Sequence, residues 1–345
     1  ATASWPRCAT SSAVSCVPSV IVAGASGYTG ALAARLLWRH PDFELVAITS
    51  RSDSGRRLDD LYPYHRVPLA LEELDLDRHG SVDAAVVAYP HGAAAPVVAA
   101  LRERGVKVVD LSADFRLRDV GEYEEWYVEH PHPEMIRDAV YGLPERYRDA
   151  VRDASLVANP GCYPTATILA LAPLAPFMTD AVVDAKSGVS GAGRKATDTT
   201  HFVSADENVT PYGVGRHRHM PEIDQELHAA GAPQDLHITF TPHLVPLDQG
   251  ELVSCYVTLR EPVGDVRELY EEAYRGEPFI EVVDRPPGVR DVRDTNICRI
   301  AVRLDERTGK VFVFGAIDNL WKGSSSQAIQ NLNLMFGLDE TAGIA

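Results

Sequence analysis

The join at residues 20–38 constrains this chain more than any other feature. Four apolar residues, Val20-Ile21-Val22-Ala23, run straight into Gly24-Ala25-Ser26-Gly27-Tyr28-Thr29-Gly30, and an apolar, helix-forming stretch follows at 31–38. A buried strand that turns on glycines into a helix opens a dinucleotide-binding βαβ unit. The glycines let the backbone approach a pyrophosphate, and the helix N-terminus offers free N–H groups at the positive end of its dipole. The spacing is GxxGxxG rather than GxGxxG, so a strand-to-helix turn that merely needs glycine is the competing reading. The expected cofactor contacts are Gly24, Ser26, Gly27, Tyr28, Thr29 and Gly30.

Residues 43–49 (FELVAIT) read as the second parallel strand and end in Ser50-Arg51-Ser52. An acidic residue about 20 positions past the glycines would bind the ribose 2′-hydroxyl of NAD. Ser50 and Arg51 suit the 2′-phosphate of NADP instead, with Asp53 as a counter-signal and a solvated loop as the alternative. Further strands are expected at 84–89, 106–111 and 155–158, and a helix at 93–101. In a doubly wound sheet ligands sit beyond the carboxyl ends of the strands. That places Pro90 and His91, and the loop at Ser112, on the cofactor side. The second half is strand-rich, at 181–186, 236–241, 252–260, 298–304 and 310–317, with helices between. That pattern suggests an α+β domain. A closing helix at 324–336 carries Ala328, Ile329, Leu332 and Met335 at helical spacing.

Composition narrows the function. A chain of 345 residues has room for two domains, and a net charge of -16 disfavours nucleic acid and anionic membranes as partners. No apolar run approaches the roughly 18 residues that span a bilayer. The longest, 166–178, is interrupted by Pro173 and Pro176 and reads as a buried helix. Five cysteines without CxxC spacing argue against a disulfide framework or a zinc ribbon and for a reducing compartment. Residues 1–19 hold one Arg, no acids and many Ser, Thr and Ala; they read as a disordered tail or the remnant of an organellar transit peptide.

The sharpest chemical signal is Cys162, in Asn159-Pro160-Gly161-Cys162-Tyr163-Pro164-Thr165, between a buried strand and a helix expected from Thr165. A helix N-terminus stabilises a thiolate, which can attack an acyl carbon. Cys255 and Cys298 lie inside strand-like runs and read as buried, inert thiols. A second glycine-rich loop, Ser187 to Lys195, ends in Arg194 and Lys195. His217-Arg218-His219 is the dense His cluster: a general acid–base near the thiol, half of a zinc site, or an exposed loop. In Asp318-Asn319-Leu320-Trp321-Lys322-Gly323, Asn319 could hold a nicotinamide carboxamide, or the segment is a simple turn.

Together these segments resemble the N-acetyl-γ-glutamyl-phosphate reductase family over roughly residues 20–338. The resemblance rests on GASGYTG (24–30), DLSADFRL (110–117), NPGCYPT (159–165), SGVSGAGRKA (187–196), YGVGRHRHMPEI (212–223), FTPHLVP (240–246) and DNLWKG (318–323). The family shares its plan with aspartate-semialdehyde dehydrogenase. The resemblance implies an α/β Rossmann domain with a mostly parallel, doubly wound sheet, plus an α+β catalytic and dimerisation domain with a mixed sheet. The expected limits are a tail at 1–19, an NADP-binding domain at 20–161, a catalytic and dimerisation domain at 162–321, and a C-terminal helix at 322–345 that packs back on the first domain. It implies NADP(H) as cofactor, Cys162 as nucleophile and His217 or His219 as acid–base group. Ser187, Gly188 and Asn319 join the cofactor contacts, and Ser112, Arg116, Asn159 and Arg194 are expected to face the substrate. Where many relatives carry an Arg after FTPHLVP, this chain has Leu247-Asp248-Gln249-Gly250.

The implied reaction reduces N-acetyl-γ-glutamyl phosphate to the 5-semialdehyde through a cysteine thioester, in arginine biosynthesis. The resemblance also implies a homodimer or homotetramer and no metal. A cytoplasmic location is expected, or a plastid or other organelle if the tail is a transit peptide. The rival readings are an aminoadipyl-phosphate reductase of lysine biosynthesis and a catalytically silent NADP-binding sensor. The first would have to dock an acidic carrier protein against a -16 chain. The second leaves Cys162 and the HRH motif without a use.

Overall fold

A computed structural model describes residues 17–345. Of the tail expected at 1–19, residues 1–16 lie outside the described ones. Ser19 already belongs to the first strand, and its backbone N–H and hydroxyl both donate to the Asp83 carboxylate at 2.8 Å. The chain divides into two compact units. One comprises the chain up to Pro160 together with Ser324–Ala345; the other is Gly161–Gly323.

The first unit is built on seven parallel strands: β1 (Ser19–Ala23), β2 (Glu44–Thr49), β3 (Leu71–Glu72), β4 (Ala84–Val87), β5 (Lys107–Asp110), β6 (Val140–Tyr141) and β7 (Leu156–Ala158). Their order is β3-β2-β1-β4-β5-β7-β6. The chain starts in the middle, moves out to β3, then crosses to β4, so the strand order reverses between β1 and β4. Such a switch point leaves a crevice at the strands' carboxyl ends, where a ligand can lie. Every residue of β1 and β4 is buried, which is why both read as continuous apolar runs rather than alternating ones.

The helix Ser326–Met335 belongs to this unit and is buried on all sides, packing on the helices Tyr28–Trp38 and Pro144–Asp153 and on β5. Its polar side chains are therefore bonded inward. Gln327 and Asn331 donate to the Gly142 carbonyl at 3.0 and 2.9 Å. A five-residue π-helical segment, Trp321–Ser325, precedes it, and Ser325 Oγ donates to the Thr29 carbonyl at 2.8 Å.

The second unit carries a mixed sheet of β8 (Met178–Gly188), β9 (Thr210–Pro211), β10 (Thr239–Val245), β11 (Glu251–Leu259), β12 (Ile280–Val282), β13 (Cys298–Asp305) and β14 (Lys310–Ile317). The order is β12-β13-β14-β11-β8-β10-β9. β11 is central and antiparallel to both neighbours, β8 and β14. The helix Cys162–Leu171 packs across β11 and β14, with residues 163–171 all buried. The apolar run 166–178 was expected as one helix. It is α-helical only to Leu171, continues as a 3-10 helix over Ala172–Phe177, and ends in β8. Pro173 and Pro176 lack the N–H that an α-helix interior requires.

Candidate active site

The chain leaves the first unit within the NPGCYPT motif. Gly161 caps the following helix without a side-chain bond, and Cys162 is the first helical residue. The helix's own first turn contains no acidic residue, and its positive end favours a thiolate. Glu222, buried in the first turn of the helix Met220–Ala229, accepts the Gly161 N–H at 2.9 Å and fixes the cap. Cys162 is partly exposed, while Cys255 and Cys298 are buried. Burial also drives the Cys255 thiol far above its ordinary pKa. Close packing positions the nucleophile. A Cβ on Gly323 would fall 2.8 Å from Cys162 Cβ and 3.2 Å from its Cα, so only glycine fits behind it.

The HRH segment lies against the same helix. The His217 ring meets Tyr163, Tyr212 and Phe240 edge-on or tilted at 5.4 to 5.7 Å between centroids, and His219 at 4.9 Å. The His219 N–H donates to His217 Nδ1 at 3.2 Å, which leaves the proton of the neutral His217 ring on Nε2. Burial, helped by the Arg218 charge, lowers the His217 pKa to about 4, so the ring is neutral at pH 7. Among the described residues no group of three or more His, Cys, Asp or Glu side chains is arranged to hold a metal.

In the first unit the glycine turn has the form a dinucleotide needs. Gly24 has φ +95°, and a Cβ there would sit 2.6 Å from the Ala88 carbonyl oxygen at the end of β4. On Gly30 a Cβ would lie 2.3 Å from the Gly24 carbonyl oxygen, so the helix packs directly on the turn. Gly27 faces open space and caps the helix with no side-chain bond and no acidic residue in the first turn. That leaves a backbone concavity and a helix end suited to pyrophosphate.

Ser26 Oγ and Ser50 Oγ are bonded at 2.8 Å. Arg51 is exposed, with its guanidinium carbon 5.9 Å from the centre of the Tyr89 ring. Asp53 is buried and ion-paired to Arg56 at 3.1 Å, which offsets its charge near the expected 2′-phosphate position. Pro90 and His91 are exposed after β4, with His91 Nδ1 accepting the Ala113 N–H at 2.9 Å.

Other expected contacts sit deeper. The Ser112 hydroxyl donates to Asp110 at 2.6 Å and is buried with it. Arg116 is buried, donating to the carbonyls of Asn159 at 2.7 Å and Leu111 at 2.9 Å. The Asn159 amide donates to the Ser324 carbonyl at 3.1 Å and accepts from Asn331 at 3.1 Å. In the second unit Ser187 and Gly188 end β8. The Asn319 side chain accepts the Gly250 N–H at 2.8 Å and donates to Ser190 Oγ at 3.0 Å. Arg194 and Lys195 are exposed.

Comparison with known proteins agrees with this arrangement. Residues 19–154 match the family model described as semialdehyde dehydrogenase, NAD binding domain, and residues 162–319 match semialdehyde dehydrogenase, dimerisation domain. An N-acetyl-gamma-glutamyl-phosphate reductase of Moorella thermoacetica is 49% identical over 94% of this chain and 96% of its own length. One from Desulforudis audaxviator is 50% identical with the same coverage. The chain belongs to the N-acetyl-γ-glutamyl-phosphate reductase family. Among solved structures, aspartate semialdehyde dehydrogenase II of Vibrio cholerae complexed with ASA superposes with a TM-score of 0.71 at 19% identity, covering 93% of this chain and 98% of that one. The Candida albicans aspartate semialdehyde dehydrogenase with NADP gives 0.70 at 16%, covering 93% and 99%. These two speak to the fold alone.

Three features of this N-acetyl-γ-glutamyl-phosphate reductase family member escape sequence reasoning. Glu222 reads as the polar first turn of a helix, and its bond to Gly161 is a contact across 61 positions. Tyr212 Oη donates to Tyr163 Oη at 3.3 Å, a pair with no local signature. Glu251, the first residue of β11, is fully buried beside Cys162. Burial, with Asp318 adding to it, raises its pKa to about 8, while the Cys162 thiol draws it back down.

Proposed function

We propose that this chain reduces N-acetyl-γ-glutamyl phosphate to N-acetylglutamate 5-semialdehyde and phosphate, using Cys162 as a thioester-forming nucleophile and NADP(H) as cofactor. The observation that carries the reading is a partly exposed cysteine as the first residue of a buried helix, beside the HRH segment, in a chain of this family. The thiolate attacks the γ-acyl carbon, the bond from that carbon to the phosphate oxygen breaks, and a thioester remains on Cys162. A thioester accepts hydride far more readily than a carboxylate, which is what covalent catalysis contributes. When bound, the reduced nicotinamide supplies the hydride. The turn at Gly24, Gly27 and Gly30 would hold its pyrophosphate, and Ser50 and Arg51 the 2′-phosphate. His217 or His219 gives a proton to the carbonyl oxygen as the thiohemiacetal forms, and collapse of that adduct frees the aldehyde.

Ser112, Arg116, Asn159 and Arg194 are the residues this reading expects to face the substrate or its phosphate. The same reading makes the protein a cytoplasmic homodimer or homotetramer. A unit matching a dimerisation domain supports the assembly. Among the described residues no helix is long and apolar enough to cross a membrane. The test is the reverse reaction: N-acetylglutamate semialdehyde, phosphate and NADP, followed by the NADPH absorbance. The wild type should turn over and Cys162→Ser should not. Turnover by the Ser variant would refute the thioester.

A further inference from the structure

The reaction described above makes no use of Asp114, the second acid of the DLSADFRL motif, yet this residue is fully buried in the first unit. One of its carboxylate oxygens accepts the Gly92 N–H at 2.7 Å and the Tyr123 hydroxyl at 2.9 Å; the other accepts the Ala95 N–H at 3.0 Å. Its own N–H donates to Ser112 Oγ at 3.1 Å, and that hydroxyl donates in turn to Asp110. Three donors offset the desolvation of the carboxylate and make it a rigid joint. Two of them come from the stretch that joins β4 to the helix Ala95–Glu103. That helix has no side-chain cap of its own and no acidic residue in its first turn, so Asp114 caps it from 19 positions away. At its other end the stretch meets the glycine turn. The Ala88 N–H donates to the Ala23 carbonyl at 2.7 Å, and a Cβ on Gly24 would lie 2.6 Å from the Ala88 carbonyl oxygen. Residues 88–94 therefore flank the crevice where the strand order reverses, opposite the Gly24 turn. The same motif also fixes His91. Its Nδ1 accepts the Ala113 N–H, and its ring meets Tyr127 edge-on at 5.3 Å, which is itself stacked on Tyr123 at 5.0 Å.

We infer that Asp114 is a positioning residue for the cofactor: by binding Gly92 and Ala95 it holds residues 88–94 as a preformed wall of the dinucleotide crevice. The inference rests on the reading that the Gly24 turn takes NADP(H), and it adds a residue to that site. Asp114 acts through the loop. It is fully buried and its oxygens are taken up by protein donors, so a dinucleotide meets the loop and not the carboxylate. The loop needs such a joint because Pro90 and His91 at its tip are exposed. Without it, surface backbone of this kind samples many conformations, and binding must then select the competent one. If the wall stands in only a tenth of the molecules, the apparent Kd rises about tenfold. The carboxylate also fills the helix end at Ala95. The pyrophosphate is thereby left the other helix end at the switch point, at Gly27, where the first turn carries no acidic residue.

The test compares wild type, Asp114→Asn and Tyr123→Phe by calorimetric titration with NADP and by steady-state kinetics of the reverse reaction. In Asp114→Asn one carboxylate oxygen becomes an NH2 group, which cannot accept a backbone N–H, so a bond to the loop is lost. Its Kd for NADP should rise about tenfold or more. Its Michaelis constant for NADP should rise by far more than its kcat falls, and the Michaelis constant for the semialdehyde should stay within about threefold. Tyr123→Phe removes the donor that lies outside the loop and leaves the bonds to Gly92 and Ala95 in place. It should bind NADP within about threefold of wild type, although it loses a buried hydrogen bond of its own. An Asn variant that binds NADP like wild type, or equal losses in the Asn and Phe variants, overturns the inference. Failure of wild type itself to bind NADP instead sinks the cofactor reading on which it rests, so the two failures are distinguishable. Hydrogen exchange on wild type without cofactor guards against an Asn variant that does not fold. The Gly92 and Ala95 amides should exchange slowly although their loop lies at the surface, and exchange at the rate of an open loop also overturns the inference.

Discussion

Replacing Glu251 by Gln keeps the shape of the side chain and removes its ability to ionise, so it isolates the energetic effect of the buried carboxyl group. In the folded protein burial raises its pKa from the ordinary 4.5 to about 8. A carboxyl group with a raised folded-state pKa binds its proton more tightly folded than unfolded. Its contribution to stability is therefore complete below about pH 4.5 and is lost as the pH rises through about 8. At about 1.4 kcal/mol per pH unit, the gap between those two values corresponds to roughly 5 kcal/mol. The Gln variant has no such dependence. The two proteins should be of similar stability near pH 5, and the variant should pull ahead steadily toward pH 9. For a unit of this size the difference amounts to a melting-point gap on the order of 10 °C. Thermal unfolding by calorimetry at half-unit pH steps reads the divergence directly. In Cys162→Ser the thiol that draws the pKa down is gone, so the window should move to higher pH. Parallel melting curves from pH 5 to 9, separated by a constant amount, would refute the reasoning.

Four other substitutions test separate parts of the site. Arg51→Ala should weaken NADPH binding about tenfold or more, from loss of a charge-assisted contact, with little effect on NADH; isothermal titration with both cofactors decides it. His217→Asn and His219→Asn, measured separately, should cut turnover by at least about tenfold in one and chiefly raise the Michaelis constant in the other. If neither loses turnover, the HRH segment has no chemical role. Gly323→Ala places a methyl group 2.8 Å from Cys162 Cβ. It should slow acylation and Cys162 alkylation together while leaving NADP titration unchanged, and an unaltered alkylation rate would show that the packing behind the nucleophile does not position it.

Much of the architecture can be read from the amino acids because its elements carry strong local patterns. β1, β4 and β5 are apolar runs bounded by turns, and the Gly24 turn announces itself by needing a positive φ. The edge strands β3, β6, β9 and β12 are only two or three residues long, too short for any alternation to register. The Cys162 helix was expected from Thr165, since Pro164 looks like a first-turn proline. It begins three residues earlier because Pro164 is tolerated in a turn whose N–H groups have no intrahelical partner. The acidic residues of the site resist sequence reading for a common reason. Glu251 was left just outside a strand expected from Leu252, because a Glu at a strand end ordinarily faces water. Its burial comes from tertiary packing, with the Cys162 helix lying over β11 and β8 and β14 on either side. Glu222 likewise depends on a distant backbone N–H.

The claim at the centre of the account is a covalent acyl group on Cys162, and it can be weighed directly. Wild-type protein mixed with N-acetyl-γ-glutamyl phosphate without cofactor, quenched in acid and analysed by intact-mass and peptide mass spectrometry, should carry one N-acetylglutamyl group per chain. The adduct should lie on the peptide containing Cys162, be released by hydroxylamine as a thioester is, and disappear when NADPH is added before the quench. It should be absent from Cys162→Ser. Full turnover with no acyl adduct, or an adduct on any other residue, would contradict the account.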